Sequence, residues 1–152
     1  MDKGKIIILA LTLALILLFT SVAGCTQSEP DTIVPEKAET PTQITEDVTP
    51  EEAFSLIEDN RNNPNFVIID IRTPQEFAEE RIEGAINLDF YADTFKDELN
   101  KLDKTKTYVI YCRSGGRSGN ALTLMQELGF NEVYNVQGGI INWKSAALPV
   151  IK

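Results

Sequence analysis

The run Thr107-Tyr-Val-Ile-Tyr111 leads without a break into Cys112-Arg-Ser-Gly-Gly-Arg-Ser118 and then into a stretch with Ala121, Leu122, Met125 and Leu128 on one helical face. Its β-branched and aromatic content predicts a buried strand. The spacing that follows predicts a helix over Ser118–Leu128, closed by Gly129 as a left-handed cap. The rest of the domain repeats this alternation. Thr49-Pro-Glu-Glu52 and Thr73-Pro-Gln-Glu76 each combine a capping threonine, a proline at the first helical position and a glutamate three residues after the cap. Helices therefore start at both places, the first running to about Asn60 with Ala53, Phe54 and Ile57 on one face. Phe66–Asp70, Ala85–Leu88 and Glu132–Val136 predict further strands. Tyr91–Leu102 predicts a weakly patterned helix, and Gly138-Gly139 precedes a short helix carrying Trp143. Such alternation implies an α/β fold in which a parallel sheet carries helices on both faces.

The first residues do not belong to that pattern. Lys3 and Lys5 precede an apolar run from Ile6 to Phe19 that only Thr12 interrupts, and Val22-Ala-Gly-Cys25 follows. A charged start, an apolar stretch and small residues predict a secretory signal over residues 1–24. Val22-Ala-Gly-Cys25 resembles a bacterial lipobox, which implies that Cys25 is lipidated and becomes the mature N-terminus. An uncleaved anchor is the alternative, since no charge lies between Lys5 and Glu29 and roughly 20 apolar residues span a bilayer. Both readings place the domain outside the cytoplasmic membrane, the lysines staying inside. Residues 25–42, rich in Pro, Thr and Glu, predict an extended, disordered tether. The domain proper occupies residues 43–152.

The chain has a formal net charge of −9, which argues against nucleic acid as a partner. Beyond Lys104 the only acidic residues are Glu127 and Glu132, so Arg113 and Arg117 make the glycine-rich loop locally positive. With Cys25 lipidated, Cys112 is the one free thiol. There is no histidine. That excludes a Cys–His pair, a Ser-His-Asp triad and any histidine-containing metal site, and neither a metal nor a cofactor is expected.

Ligands in parallel sheets bind beyond the carboxyl ends of the strands, where the loop from Cys112 to Ser118 lies. Gly115 and Gly116 allow successive backbone N–H groups of Arg113, Ser114, Gly115, Gly116, Arg117 and Ser118 to turn inward as an anion nest at the positive end of a helix. Such surroundings lower a thiol pKa below its free value of about 8.5. Arg113 or Arg117 would hold a tetrahedral oxyanion with paired donors. The bland alternative is a buried cysteine at a strand end beside solvated arginines.

The loop resembles the active-site loop of rhodanese-type sulfurtransferases, and other segments resemble the family in the same order. Asp70-Ile-Arg72 is similar to its Asp-x-Arg, and Arg81-Ile-Glu-Gly-Ala-Ile-Asn87 to its His-Ile-x-Gly-Ala-x-Asn, with Arg81 in place of the histidine. Val136-Gln-Gly-Gly139 with Trp143 and Pro149-Val150 is similar to its C-terminal signature. The resemblance implies a rhodanese-like three-layer sandwich, with a mostly parallel sheet of about five short strands and helices on both faces. It also implies that Cys112 takes a sulfane sulfur from a small anionic donor such as thiosulfate, as a persulfide. The sulfur then passes to a thiophilic acceptor: cyanide, a small thiol or a partner protein's cysteine. Asp70 and Arg72 are expected to be structural, and the protein to be a membrane-tethered monomer.

Two other readings stay open. Cysteine phosphatases place their arginine one residue later, in Cys-x5-Arg, whereas here Ser118 holds that position and Arg117 falls at Cys-x4-Arg. A phosphatase or arsenate reductase also needs a general acid, and none is evident. A binding or redox-partner module that has lost activity is the other reading, against which the presence of Cys112 counts.

Overall fold

The computed structural model describes residues 42–152. The expected signal sequence, Cys25 and the expected tether up to residue 41 lie outside the described residues.

Five strands and five helices alternate: β1 (Ile44–Val48), α1 (Pro50–Asp59), β2 (Phe66–Asp70), α2 (Pro74–Glu79), β3 (Ile86–Asn87), α3 (Phe95–Lys101), β4 (Thr107–Tyr111), α4 (Gly116–Glu127), β5 (Glu132–Val136) and α5 (Gly139–Ser145). The strands form one sheet in the order β1-β5-β4-β2-β3, and every pairing is parallel. All strand carboxyl ends therefore lie at the same edge, with β4 in the middle.

Side chains of a strand alternate between faces, and β4 shows what that builds. Tyr108, Ile110 and Cys112 join Ile69, Ile71, Phe95, Leu99, Ala121, Met125, Phe130 and Val133 in a core between the sheet and α3 and α4. Val109 and Tyr111 face the opposite way, towards Ala53, Ile57, Ile82, Val136, Ile140 and Trp143, beneath α1 and α5. The result is the helix–sheet–helix sandwich implied by the alternation. Trp143 closes the second core edge-on against Phe54, its indole N–H donating to the Pro149 carbonyl at 2.9 Å.

Both capping boxes form. The Thr49 hydroxyl accepts from Glu52 N–H while the Glu52 carboxylate accepts from Thr49 N–H, and Thr73 with Glu76 repeats this reciprocal pair. Each cap is worth about 1 kcal/mol. At the other end of α4, Gly129 takes a positive φ of 83°. Phe130 N–H reaches back to the Met125 carbonyl and Gly129 N–H to that of Gln126, satisfying the last orphan carbonyls.

Two helix starts and one whole strand differ from the sequence reading, and β3 is shorter than the predicted Ala85–Leu88. Helix α4 starts at Gly116, not Ser118, because Gly115 at φ 93° makes the turn into it. Helix α3 starts at Phe95, not Tyr91, because the Asp89 side chain accepts from Tyr91 N–H and bends the backbone there. Strand β1 was not legible: Ile-Thr-Glu-Asp-Val has no apolar run, and each of its residues pairs with one 88 positions further on in β5.

Candidate active site

Cys112 follows directly on β4, with the ends of β2 and β5 on either side. Its side chain points into the core under α4 and is buried, with 1% of the residue exposed. The sulfur accepts from Gly115 N–H at 3.2 Å and lies 3.4 Å from the Ser118 hydroxyl, which is also 3.2 Å from the Gly115 carbonyl. Burial opposes ionisation of this thiol. The Ser118 hydroxyl and the N–H groups of Ser118, Ser114 and Gly115 outweigh it, and the net pKa is lowered.

The two arginines, which the sequence places beside the same N–H donors, are not among the main causes of that shift. Arg113 is exposed and has no hydrogen bond or ion pair to another side chain among the described residues. Arg117 is committed elsewhere. Its two terminal nitrogens donate to the two carboxylate oxygens of Glu76, both at 2.9 Å, and its guanidinium stacks over the Tyr91 ring at 5.4 Å. The Glu76 carboxyl is drawn from 4.5 to about 2, chiefly by the Arg117 hydrogen bonds, with further help from Thr73. A depressed carboxyl stabilises the fold above its unfolded pKa and loses that contribution as pH falls through its folded value. The Glu76–Arg117 pair is therefore intact at neutral pH and is lost only in strong acid. Arg117 still feels the sulfur, since the thiolate of Cys112 adds to the causes that hold its guanidinium charged.

The loop is also held from below. Ile140 N–H donates to the Cys112 carbonyl at 2.9 Å and Ile141 N–H to that of Arg113 at 3.2 Å, so the start of α5 is pinned to the loop. This contact requires glycine. Gly139 has φ 57°, and a Cβ there would sit 2.3 Å from the Cys112 carbonyl oxygen. A Cβ added at Gly115 would in turn lie 3.1 Å from Gly138 N. The Gly138-Gly139 pair, legible in the sequence only as a turn, is the floor on which the loop rests.

Asp70 and Arg72 stand one strand away. Asp70 is fully buried, and Arg72 is 3% exposed. The guanidinium donates to both carboxylate oxygens of Asp70, at 2.6 Å for the shortest contact, and Arg72 N–H donates to the same carboxylate at 2.9 Å. Asn87 bridges the Asp70 and Arg72 carbonyls through its amide. Tyr111 packs against this pair, and its hydroxyl accepts from Ile82 N–H at 3.1 Å. Both charges are spent on each other and on backbone, and neither hydrogen-bonds the sulfur. Arg81, which holds the place of the family's histidine, exchanges backbone hydrogen bonds with Ile151 at 2.8 Å and lies over the Phe77 ring. No group of residues suited to a metal ion occurs among the described residues.

Glu76 is the residue that the sequence reading passed over. Its capping role was legible at three residues' distance. Its grip on Arg117, forty-one residues further on, was not.

The thiolate account makes a direct prediction. Ser118→Ala removes a hydrogen bond to a charged acceptor, worth about 1.5–3 kcal/mol. Iodoacetamide alkylation of Cys112 at neutral pH should slow by about tenfold or more, and its pH profile should move to higher pH. An unchanged profile would remove Ser118 from the set of thiolate stabilisers.

Comparison with known proteins agrees with this architecture. The family model described as a rhodanese-like domain matches residues 49–146. A sulfurtransferase of Allochromatium vinosum is 34% identical over 97 residues, covering 64% of this chain and 89% of that protein. A thiosulfate sulfurtransferase of Escherichia coli is 33% identical over 84 residues, covering 55% of this chain and 77% of the relative. Some other relatives are longer, and the chain spans half or less of their length. Among solved structures, a protein of Staphylococcus saprophyticus shares 34% identity at a TM-score of 0.56, covering 64% of this chain and 92% of that one.

Proposed function

The chain belongs to the rhodanese-like family, whose relatives here include named sulfurtransferases, and from that premise we propose that it moves a sulfane sulfur through a persulfide on Cys112. The observation that carries the proposal is the buried, histidine-free thiol with a lowered pKa, set in a nest of N–H donors. Thiolate is the attacking species in sulfur exchange. With thiosulfate as donor, the Cys112 sulfur attacks the outer sulfur. A new S–S bond forms to the protein, the S–S bond of thiosulfate breaks, and the electron pair leaves on sulfite. Cyanide or a thiolate then attacks the outer sulfur of the persulfide and Cys112 departs as thiolate. The same N–H groups that favour ionisation also make it a good leaving group.

Arg113 is the cation left free to meet the anionic donor at the rim, while Arg117 shapes the loop through Glu76. The turnover test is formation of thiocyanate from thiosulfate and cyanide by the purified domain. Turnover of an aryl phosphate without turnover of thiosulfate would favour the phosphatase reading instead.

The proposal includes a location. With Cys25 lipidated, the domain works as a membrane-tethered monomer on the extracytoplasmic side, in the periplasm or at the cell surface. Its acceptor is then a small thiol or a protein cysteine on that side. Cys25→Ser should move the protein from the membrane fraction into a soluble fraction or leave it as unprocessed precursor. Normal processing and membrane recovery of the variant would exclude lipidation at Cys25.

A further inference from the structure

Two arginines sit at the mouth of a site read as taking anionic donors, yet one is already neutralised. The Glu76–Arg117 pair is bidentate, with only 15% of the arginine side chain and 26% of the glutamate side chain exposed. Glu76 is itself fixed, because the same carboxylate accepts from the backbone N–H and hydroxyl of Thr73 at the start of α2. Helix α2 buries none of its residues. The cap and the arginine are what tie that helix to the loop. The charged and titratable groups around the sulfur are then few. Helix α4 contributes Arg117, α2 contributes Glu76, the loop contributes Arg113 and the segment before α3 contributes Tyr91, while the Asp70–Arg72 pair at the end of β2 neutralises itself.

Resting on the sulfurtransferase reading above, we propose that Glu76 is a specificity-determining residue that sets how strongly the Cys112 site discriminates between sulfur donors of different charge. By cancelling the charge of Arg117 it leaves Arg113 as the one uncompensated cation of the loop. A dianion such as thiosulfate gains from each added positive charge more than a monoanion does. The wild-type site is therefore held back from preferring thiosulfate over singly charged donors such as alkyl thiosulfonates or small persulfides. Both donor classes follow the same balanced step. Thiosulfate loads Cys112 and releases sulfite, and a thiosulfonate loads Cys112 and releases a sulfinate. The leaving group carries away the electron pair of the broken S–S bond in each case.

Glu76→Gln isolates the charge. Glutamine still serves the capping box and can still accept from Arg117, so the helix and the loop keep their connection. The measurement is kcat/KM for thiosulfate and for methanethiosulfonate, each followed by appearance of persulfide on Cys112. A unit charge acting over about 8–10 Å at an effective dielectric of roughly 40 predicts a rise of about three- to tenfold in the thiosulfate-to-thiosulfonate ratio. The rise should shrink at high salt. The alkylation profile of Cys112 should move to lower pH in the same variant, a direction that simple loosening of the loop does not produce. Glu76→Asp keeps the charge and should keep the wild-type ratio. An unchanged ratio in Glu76→Gln, or an equal change in Glu76→Asp, overturns the specificity role while leaving sulfur transfer intact. A wild-type protein that takes sulfur from neither donor overturns the sulfurtransferase reading itself, and this inference with it.

Discussion

Cys112→Ser should reduce sulfur transfer by at least about a thousandfold while leaving the fold in place. The reason lies in the chemistry of the atom, not in its packing. Serine offers a hydroxyl that the same N–H groups cannot ionise near neutral pH, and oxygen does not form a persulfide. The nest tolerates the change, because Gly115 N–H can donate to an Oγ in place of the sulfur and Ser118 retains its contact with the Gly115 carbonyl. Circular dichroism and thermal unfolding should therefore match the wild type while the thiosulfate–cyanide assay falls to background. Activity that survives the substitution would assign the nucleophile elsewhere, although no other cysteine occurs among the described residues.

The largest stability effect should come from the other buried polar pair. Asp70→Ala leaves the Arg72 guanidinium, 4% exposed in its side chain, without its carboxylate. Removing one partner of a buried ion pair costs about 3–5 kcal/mol, most of it the penalty of an uncompensated buried charge. Desolvation makes the intact pair itself a poor source of net stability, which yields a second expectation of opposite character. The double replacement Asp70→Leu with Arg72→Met should lose much less than Asp70→Ala alone. Denaturant midpoints of the three proteins decide this. Equal losses in the single and double variants would mean that the pair acts through the Asn87 bridge and the backbone, and not through its charges.

The features that could be read from the chain alone are those specified by neighbours in sequence. Thr49 with Glu52 and Thr73 with Glu76 announce two helix starts because a capping box is complete within four residues. Thr107–Tyr111 and Phe66–Asp70 announce strands because burial on both faces demands continuous apolar runs. The nest after Cys112 was legible for the same reason, since its donors, Ser114, Gly115 and Ser118, all lie within the next six residues. Whatever depended on distant partners was hidden. Strand β1 exists through its register with β5, from Ile44 opposite Glu132 to Val48 opposite Val136, and its own residues carry no apolar run to announce it. Gly139 is needed because of the Cys112 carbonyl, a contact that local sequence cannot display. The two arginines looked equivalent until Glu76 separated them, leaving Arg117 paired and Arg113 free.

That separation shifts the account of the thiol. A loop with two free arginines would ionise Cys112 mainly through charge, and its reactivity would fall steeply with salt. A loop in which hydrogen bonds dominate holds its thiolate through short-range dipoles, which salt screens little. Burial that would otherwise suppress ionisation then strengthens those same hydrogen bonds.

The central claim is that Cys112 carries sulfur as a persulfide. It is tested most directly by incubating the protein with thiosulfate, removing excess donor, and mapping peptide masses before and after treatment with cyanide. The account predicts the mass of one added sulfur atom on the Cys112 peptide, release of one sulfite per protein, and loss of that sulfur to cyanide as thiocyanate. An unmodified Cys112 peptide, or sulfur bound equally well by the Cys112→Ser protein, would contradict it.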